Sequence, residues 1–205
     1  MPQTPIIASH LILTGYGHWL PNDPRGSGSS RVKKANLIDL GPLYVGRKAK
    51  QPSRPELREF HREAEACLSK PRLWFDENLR KAVAAGFARA ASEHRYTIYA
   101  AAVLRNHAHL CVRRHRDTPV DIWQHLADAA KAVLIEQFGD GDKHAKIGGI
   151  ALDHPVWSQR PYKVYLHTPA DVRRVVRYIE NNPGKEALAR QSFEFVTEYD
   201  GWPHR

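Results

Sequence analysis

The chain has 205 residues, 42% of them apolar, enough to fill the core of one ample domain. Its 31 Lys and Arg outweigh 22 Asp and Glu, a formal charge of +9, which favours a polyanionic partner, either nucleic acid or an anionic membrane surface. No apolar run approaches the roughly 18 residues of a spanning helix, and the N-terminus has no signal-peptide pattern, so a cytoplasmic nucleic-acid partner is expected. Cys67 and Cys111 alone make no disulfide framework, and neither has a partner at zinc-site spacing.

In chain order, Ile6 to Thr14 (IIASHLILT) is long and apolar enough for a buried strand, with His10 read as a packed or edge imidazole. Residues 15–54 are dense in Gly, Pro, Ser and base, and are expected to form a long loop inserted into a single domain spanning 1–205. Tyr16, His18, Trp19 and Arg25 give that loop groups suited to stacking bases and pairing phosphates; a solvated insertion with Trp19 tucked onto the core fits equally well. Helical spacing predicts a helix from Glu56 to Ser69, broken by Pro71, and a second through about His94, capped by Asp76.

Tyr96 to Val112 (YTIYAAAVLRNHAHLCV) reads as two strands in a hairpin. His107 and His109, two apart on a strand, point to one face roughly 7 Å apart at Cα, while Ala108 and Leu110 point to the other. Such a pair is half of a divalent-metal site, or two half-exposed imidazoles in a chain with twelve histidines. Thr118-Pro119-Val120-Asp121 starts a helix expected to run to Phe138 and stop at Gly139. Lys131 lies on its flank, facing phosphate or solvent. Tyr162 to Leu166 is a short strand, and Thr168-Pro169-Ala170-Asp171 opens a last helix expected to end at Pro183-Gly184. Val172, Val175, Val176 and Ile179 form its apolar stripe, with Arg173, Arg174 and Arg177 opposite. Tyr178 and Asn182, four apart, share one flank.

NHAHL at 106–110, WSQRPY at 157–162 and VRRVVRYIENNP at 172–183 together resemble the single-tyrosine HUH transposases, in particular the REP-associated tyrosine transposases. LILTGYGHWLPNDPRGS near the start and FEFVTEYDGWP near the end resemble one branch of that family, and Leu104-Arg105 departs from its usual Met-Pro. The resemblance implies an α+β, ferredoxin-like βαββαβ sandwich, with an antiparallel sheet and helices packed on one face. That order agrees with the elements read from periodicity. It implies that His107 and His109 bind Mg²⁺ or Mn²⁺, that Asn182 is the third ligand and that Tyr178 is the nucleophile.

The activity implied is metal-dependent nicking and strand transfer of single-stranded DNA beside a hairpin, through a covalent 5′-phosphotyrosine. Arg173, Arg174 and Arg177 would follow the DNA backbone, or form an ordinary solvated face. Two alternatives stand beside this reading: a domesticated relative that binds hairpin DNA or RNA without cutting, and a nuclease in which water attacks. Relatives act either alone or as homodimers, and periodicity does not choose between them.

Overall fold

The computed structural model describes residues 5–32, 35–138, 146–147, 150–151, 154–158 and 161–203. The chain divides into two compact units, Met1–Thr14 with Trp74–Arg205, and Gly15–Leu73.

The larger unit is built on strands β1 (Ala8–Thr14), β2 (Ile98–Val103) and β3 (His107–Arg113), with β6 (Tyr162–Leu166) after a two-residue pair, β4 (Lys146–Ile147) and β5 (Ile150–Ala151). The main sheet has the order β2-β3-β1-β6 and is antiparallel at every pairing. With helix α2 (Glu77–His94) before the β2–β3 hairpin, and α3 (Pro119–Phe138) between β3 and β6, this is the strand order of a βαββαβ sandwich. The α+β architecture expected from the sequence is present. Helix α4 (Pro169–Lys185) follows β6.

Strand parity divides the sheet into two chemically different faces. One carries Ala8, Ala100, Ala102 and Cys111, which pack with Leu166 and with Val172, Val175 and Ile179 of α4. The other carries Leu11, Leu13, Ala108, Leu110 and Val112, all fully buried. α2 and α3, which pack on each other and on β1 and β2, cover that second face. Trp123 of α3 ties it down by donating its indole N–H to Ile12 O at 3.1 Å.

Local signals set the helix ends. Asp76 accepts from Leu79 N–H at 2.8 Å to start α2, and Thr168 with Asp171 forms a capping box at the start of α4. The expected stop of α3 at Gly139 lies outside the described residues. The expected end of α4 at Pro183-Gly184 is corrected: the helix runs to Lys185 with Pro183 inside it. A proline in the last turn forfeits only its own N–H bond. The Pro183 carbonyl accepts from Glu186 and Leu188, and that of Gly184 from Ala187, so the turn closes on tighter bonds.

In the smaller unit a 3₁₀ helix, Ala35–Leu40, and helix α1, Arg54–Cys67, share a core of Leu20, Leu37, Phe60 and Ala64. α1 starts two residues before the predicted Glu56, because Ser53 with Glu56 forms its capping box. Gly26, at φ +92°, lies against this unit's backbone: a Cβ there would come within 2.0 Å of Gly46 O. Among the described residues no helix is long and apolar enough to cross a membrane.

Candidate active site

Three side chains meet on the α4 face of the sheet. His107 and His109 start β3, and the same parity that buries Ala108 and Leu110 beneath α2 and α3 turns both imidazoles towards α4. Their Nε2 atoms lie 3.0 Å apart. Two nitrogens bound at right angles to one ion at about 2.1 Å would be separated by about 3.0 Å, so the spacing fits a shared cation. Tyr178, on α4, brings its ring centroid to 5.5 Å from that of His109, edge to face, with 43% of the residue exposed. Lys185, seven residues on, holds its Nζ 4.3 Å from the Tyr178 ring centroid.

A hydrogen bond decides which His107 ring nitrogen carries the lone pair. Asn106 Oδ1 can only accept, so His107 Nδ1–H donates to it at 2.6 Å, and the neutral ring keeps an unprotonated Nε2. His109 Nδ1 faces His10 Nε2 at 2.9 Å. Both rings are buried, 3% and 7% exposed. Burial, with smaller contributions from His107, His10 and Lys185, pushes the His109 pKa down to about 2. Burial alone lowers that of His10 to about 4. Both imidazoles are therefore neutral at pH 7, the form in which a histidine can ligate.

His10 is the residue that sequence reasoning missed. Read as a packed imidazole, it is packed, yet it also sits in the polar centre of the site, with its ring 6.0 Å from that of Tyr178. The available signal was a single polar residue inside an otherwise apolar strand, where a buried imidazole needs a partner.

Asn182 is buried one turn after Tyr178, and its Nδ2 has no hydrogen-bond partner among the described residues. Such an atom marks an unmet polar requirement. A half-turn of the amide would present Oδ1 there instead.

The other sequence-selected residues of the larger unit lie outside this convergence. Arg173, Arg174 and Arg177 are exposed on α4; Arg174 pairs with Asp171 at 2.7 Å, and Arg173 lies over the Tyr199 ring at 5.7 Å. Lys131 is exposed on α3. Tyr16, His18, Trp19 and Arg25 belong to the smaller unit and bond within it. The Tyr16 hydroxyl meets Ser69, and His18 Nε2 donates to Leu73 O. Trp19 donates to Gly26 O. Arg25 grips the buried Asp23 through Nε and Nη2, at 2.8 and 2.7 Å, with its guanidinium 4.0 Å over Trp19.

No description of a known protein family matches the chain, and no curated protein matches it. Among solved structures it is similar to one described as "Structure of the REP associates tyrosine transposase bound to a REP hairpin". That similarity has 12% sequence identity and a TM-score of 0.42, and it covers 95% of this chain and 90% of that one. It is a distant structural similarity and carries no argument about activity.

Proposed function

We propose that this protein nicks and rejoins single-stranded DNA through a covalent tyrosyl intermediate, with Tyr178 as nucleophile and His107, His109 and Asn182 as ligands of a Mg²⁺ or Mn²⁺ ion. The observation that carries the reading is the convergence of two ring nitrogens 3.0 Å apart with the half-exposed phenol of Tyr178. The donor set fits such an ion: the His109 imidazole held neutral by burial, the His107 ring with Nδ1–H committed to Asn106, and a buried amide with an unmet hydrogen bond. When bound, the ion would neutralise charge on the scissile phosphate and leave ligand positions open to it.

The chain's own residues do the rest. Asn106 fixes the His107 tautomer. With His109 Nε2 given to the ion, His10 would hold the matching tautomer by accepting from His109 Nδ1–H. The Tyr178 oxygen attacks phosphorus; the new bond is O(Tyr)–P, and the bond broken is P–O3′. The phenolic proton leaves to solvent, and the departing 3′-oxygen takes one up as a 3′-hydroxyl. Splitting one displacement into two lets that hydroxyl, or another, reverse the step without an energy-rich cofactor. Lys185 adds a positive charge beside the phenol. The exposed Arg173, Arg174 and Arg177 and the net charge of +9 suit a polyanionic strand or hairpin stem.

The test is incubation with single-stranded oligonucleotides from the flanks of the chain's own gene plus Mn²⁺, resolved on denaturing gels. A protein–DNA adduct that vanishes in Tyr178→Phe is the expected result. An adduct that persists in Tyr178→Phe removes the nucleophile assignment. Product without any adduct supports attack by water, and hairpin binding without cleavage supports a domesticated binder.

A further inference from the structure

We infer a second divalent-metal site, formed by His94, Asp117 and His125 and suited to an ion of the Zn²⁺ class. The three residues come from separate elements: His94 closes α2, Asp117 lies in the β3–α3 connection, and His125 is in α3. One ligand atom of each lies within 4.8 Å of the other two. His107 opens the seven-residue β3 and this group follows its far end, about 20 Å away at the strand rise, so an ion here is distinct from one at the histidine pair.

The hydrogen bonds prepare these side chains as ligands. The Tyr96 hydroxyl donates to Asp117 Oδ2 at 2.7 Å, since a carboxylate can only accept. Its oxygen must then accept from His125 Nδ1–H at 2.6 Å, which leaves His125 Nε2 with a lone pair. This is the outer-shell pattern that orients a ligating imidazole. Two imidazoles and one carboxylate with a fourth position open favour Zn²⁺ or Co²⁺ over Mg²⁺.

One rearrangement is required. His94 and His125 stack with centroids 3.9 Å apart and planes 8° from parallel, and lone pairs in parallel planes cannot meet at one ion. Binding must turn His94 out of the stack. It is the last residue of α2, followed by Arg95 at φ +59°, so no further helical turn hinders that rotation. Arg95, Arg114 and Arg116 line the adjoining surface; they weaken cation binding but match an anionic fourth ligand.

The experiment titrates Zn²⁺ and Co²⁺ by calorimetry at pH 7.5 into the metal-free full chain and into His107→Ala/His109→Ala, with Co²⁺ d–d absorbance recorded. The double variant is expected to retain one equivalent showing tetrahedral Co²⁺ bands, and His94→Gln or His125→Ala added to it to weaken that binding at least 100-fold. Should the double variant misfold by circular dichroism, the full chain decides: it is expected to lose one equivalent of Zn²⁺ in His94→Gln. Absence of saturable binding in a folded double variant, or unchanged stoichiometry and affinity on losing His94 and His125, would overturn the inference.

Discussion

His10 offers the sharpest test of how the site is built, because it would touch neither ion nor DNA. Its Nε2 meets His109 Nδ1 at 2.9 Å in a place where His109 is only 3% exposed. Replacing His10 by leucine removes that partner and strands a buried ring nitrogen, which costs about 1–3 kcal/mol of stability. It also removes the partner that would accept the His109 Nδ1–H once Nε2 holds the ion. Loss of such an outer partner lowers metal affinity about 10–100-fold, or ~1.4–2.7 kcal/mol. Glutamine places an amide oxygen near the former Nε2 and should recover most of the affinity. Mn²⁺ titration by calorimetry at pH 7.5, with thermal melts as a control, separates the two effects. If His10→Leu binds Mn²⁺ as tightly as the native chain while His109→Ala does not bind it, the orienting role is refuted.

Asn182→Ala removes a buried amide with an unmet hydrogen bond and introduces a better helix former, so the melting temperature should hold or rise while Mn²⁺ affinity falls; a drop in stability with unchanged affinity would make Asn182 structural. Stability of the metal-free protein should decline with acid. The His10 and His109 pKa values are depressed to about 4 and about 2, whereas unfolded imidazoles titrate near 6.5. The unfolded chain therefore binds more protons below that value, and a stabilisation complete above about pH 6.5 is lost as the pH falls further. Melts from pH 7.5 to 5 should show a decline that is shallower in His10→Gln, and equal slopes would contradict the assignment. Ala102→Leu adds three carbons where α4 meets the sheet, at a cost of about 1–3 kcal/mol. It should abolish the tyrosyl adduct and weaken Mn²⁺ binding, since Tyr178 and Asn182 both move with α4, and an adduct formed at the native rate would show that α4 tolerates the shift.

Much of this architecture was legible because local signals agreed with the final packing. Asp76, Thr168-Pro169 and the period-two pattern of His107–Arg113 each fix an element without help from distant residues. What was not legible depends on pairings far apart in sequence. His10 meets His109 only because β1 inserts between β3 and β6, a contact across 99 positions that no window of sequence displays. The segment 15–54 read as loop because its stabilising bonds, such as Asp23 with Arg25 and Asn22 Nδ2 to Leu37 O, are made by polar side chains and leave no apolar period. The stacked His94 and His125 come from two different helices, and neither helix alone announces the pair.

One strand face explains why the phenol and the imidazoles can meet at all. The surface that α4 covers is mostly small, with Ala8, Ala100, Ala102 and Cys111 beside Tyr99 and Leu166, whereas the opposite face is richer in branched residues, Leu11, Leu13, Leu110 and Val112, with Ala108 among them. Small side chains let a helix approach a sheet more closely than branched ones, and interiors are packed too densely to absorb an added carbon without movement. The valines and Ile179 of α4 fill the space above the alanines. That seats Tyr178 at the margin of the contact, beside His109 and half in water, rather than within the core. The role we propose for Tyr178 would need both conditions at once: a fixed position relative to the two imidazoles and an open side from which a strand can enter. The alternation of large and small residues across one sheet supplies the first, and the position of Tyr178 on the flank of its helix supplies the second.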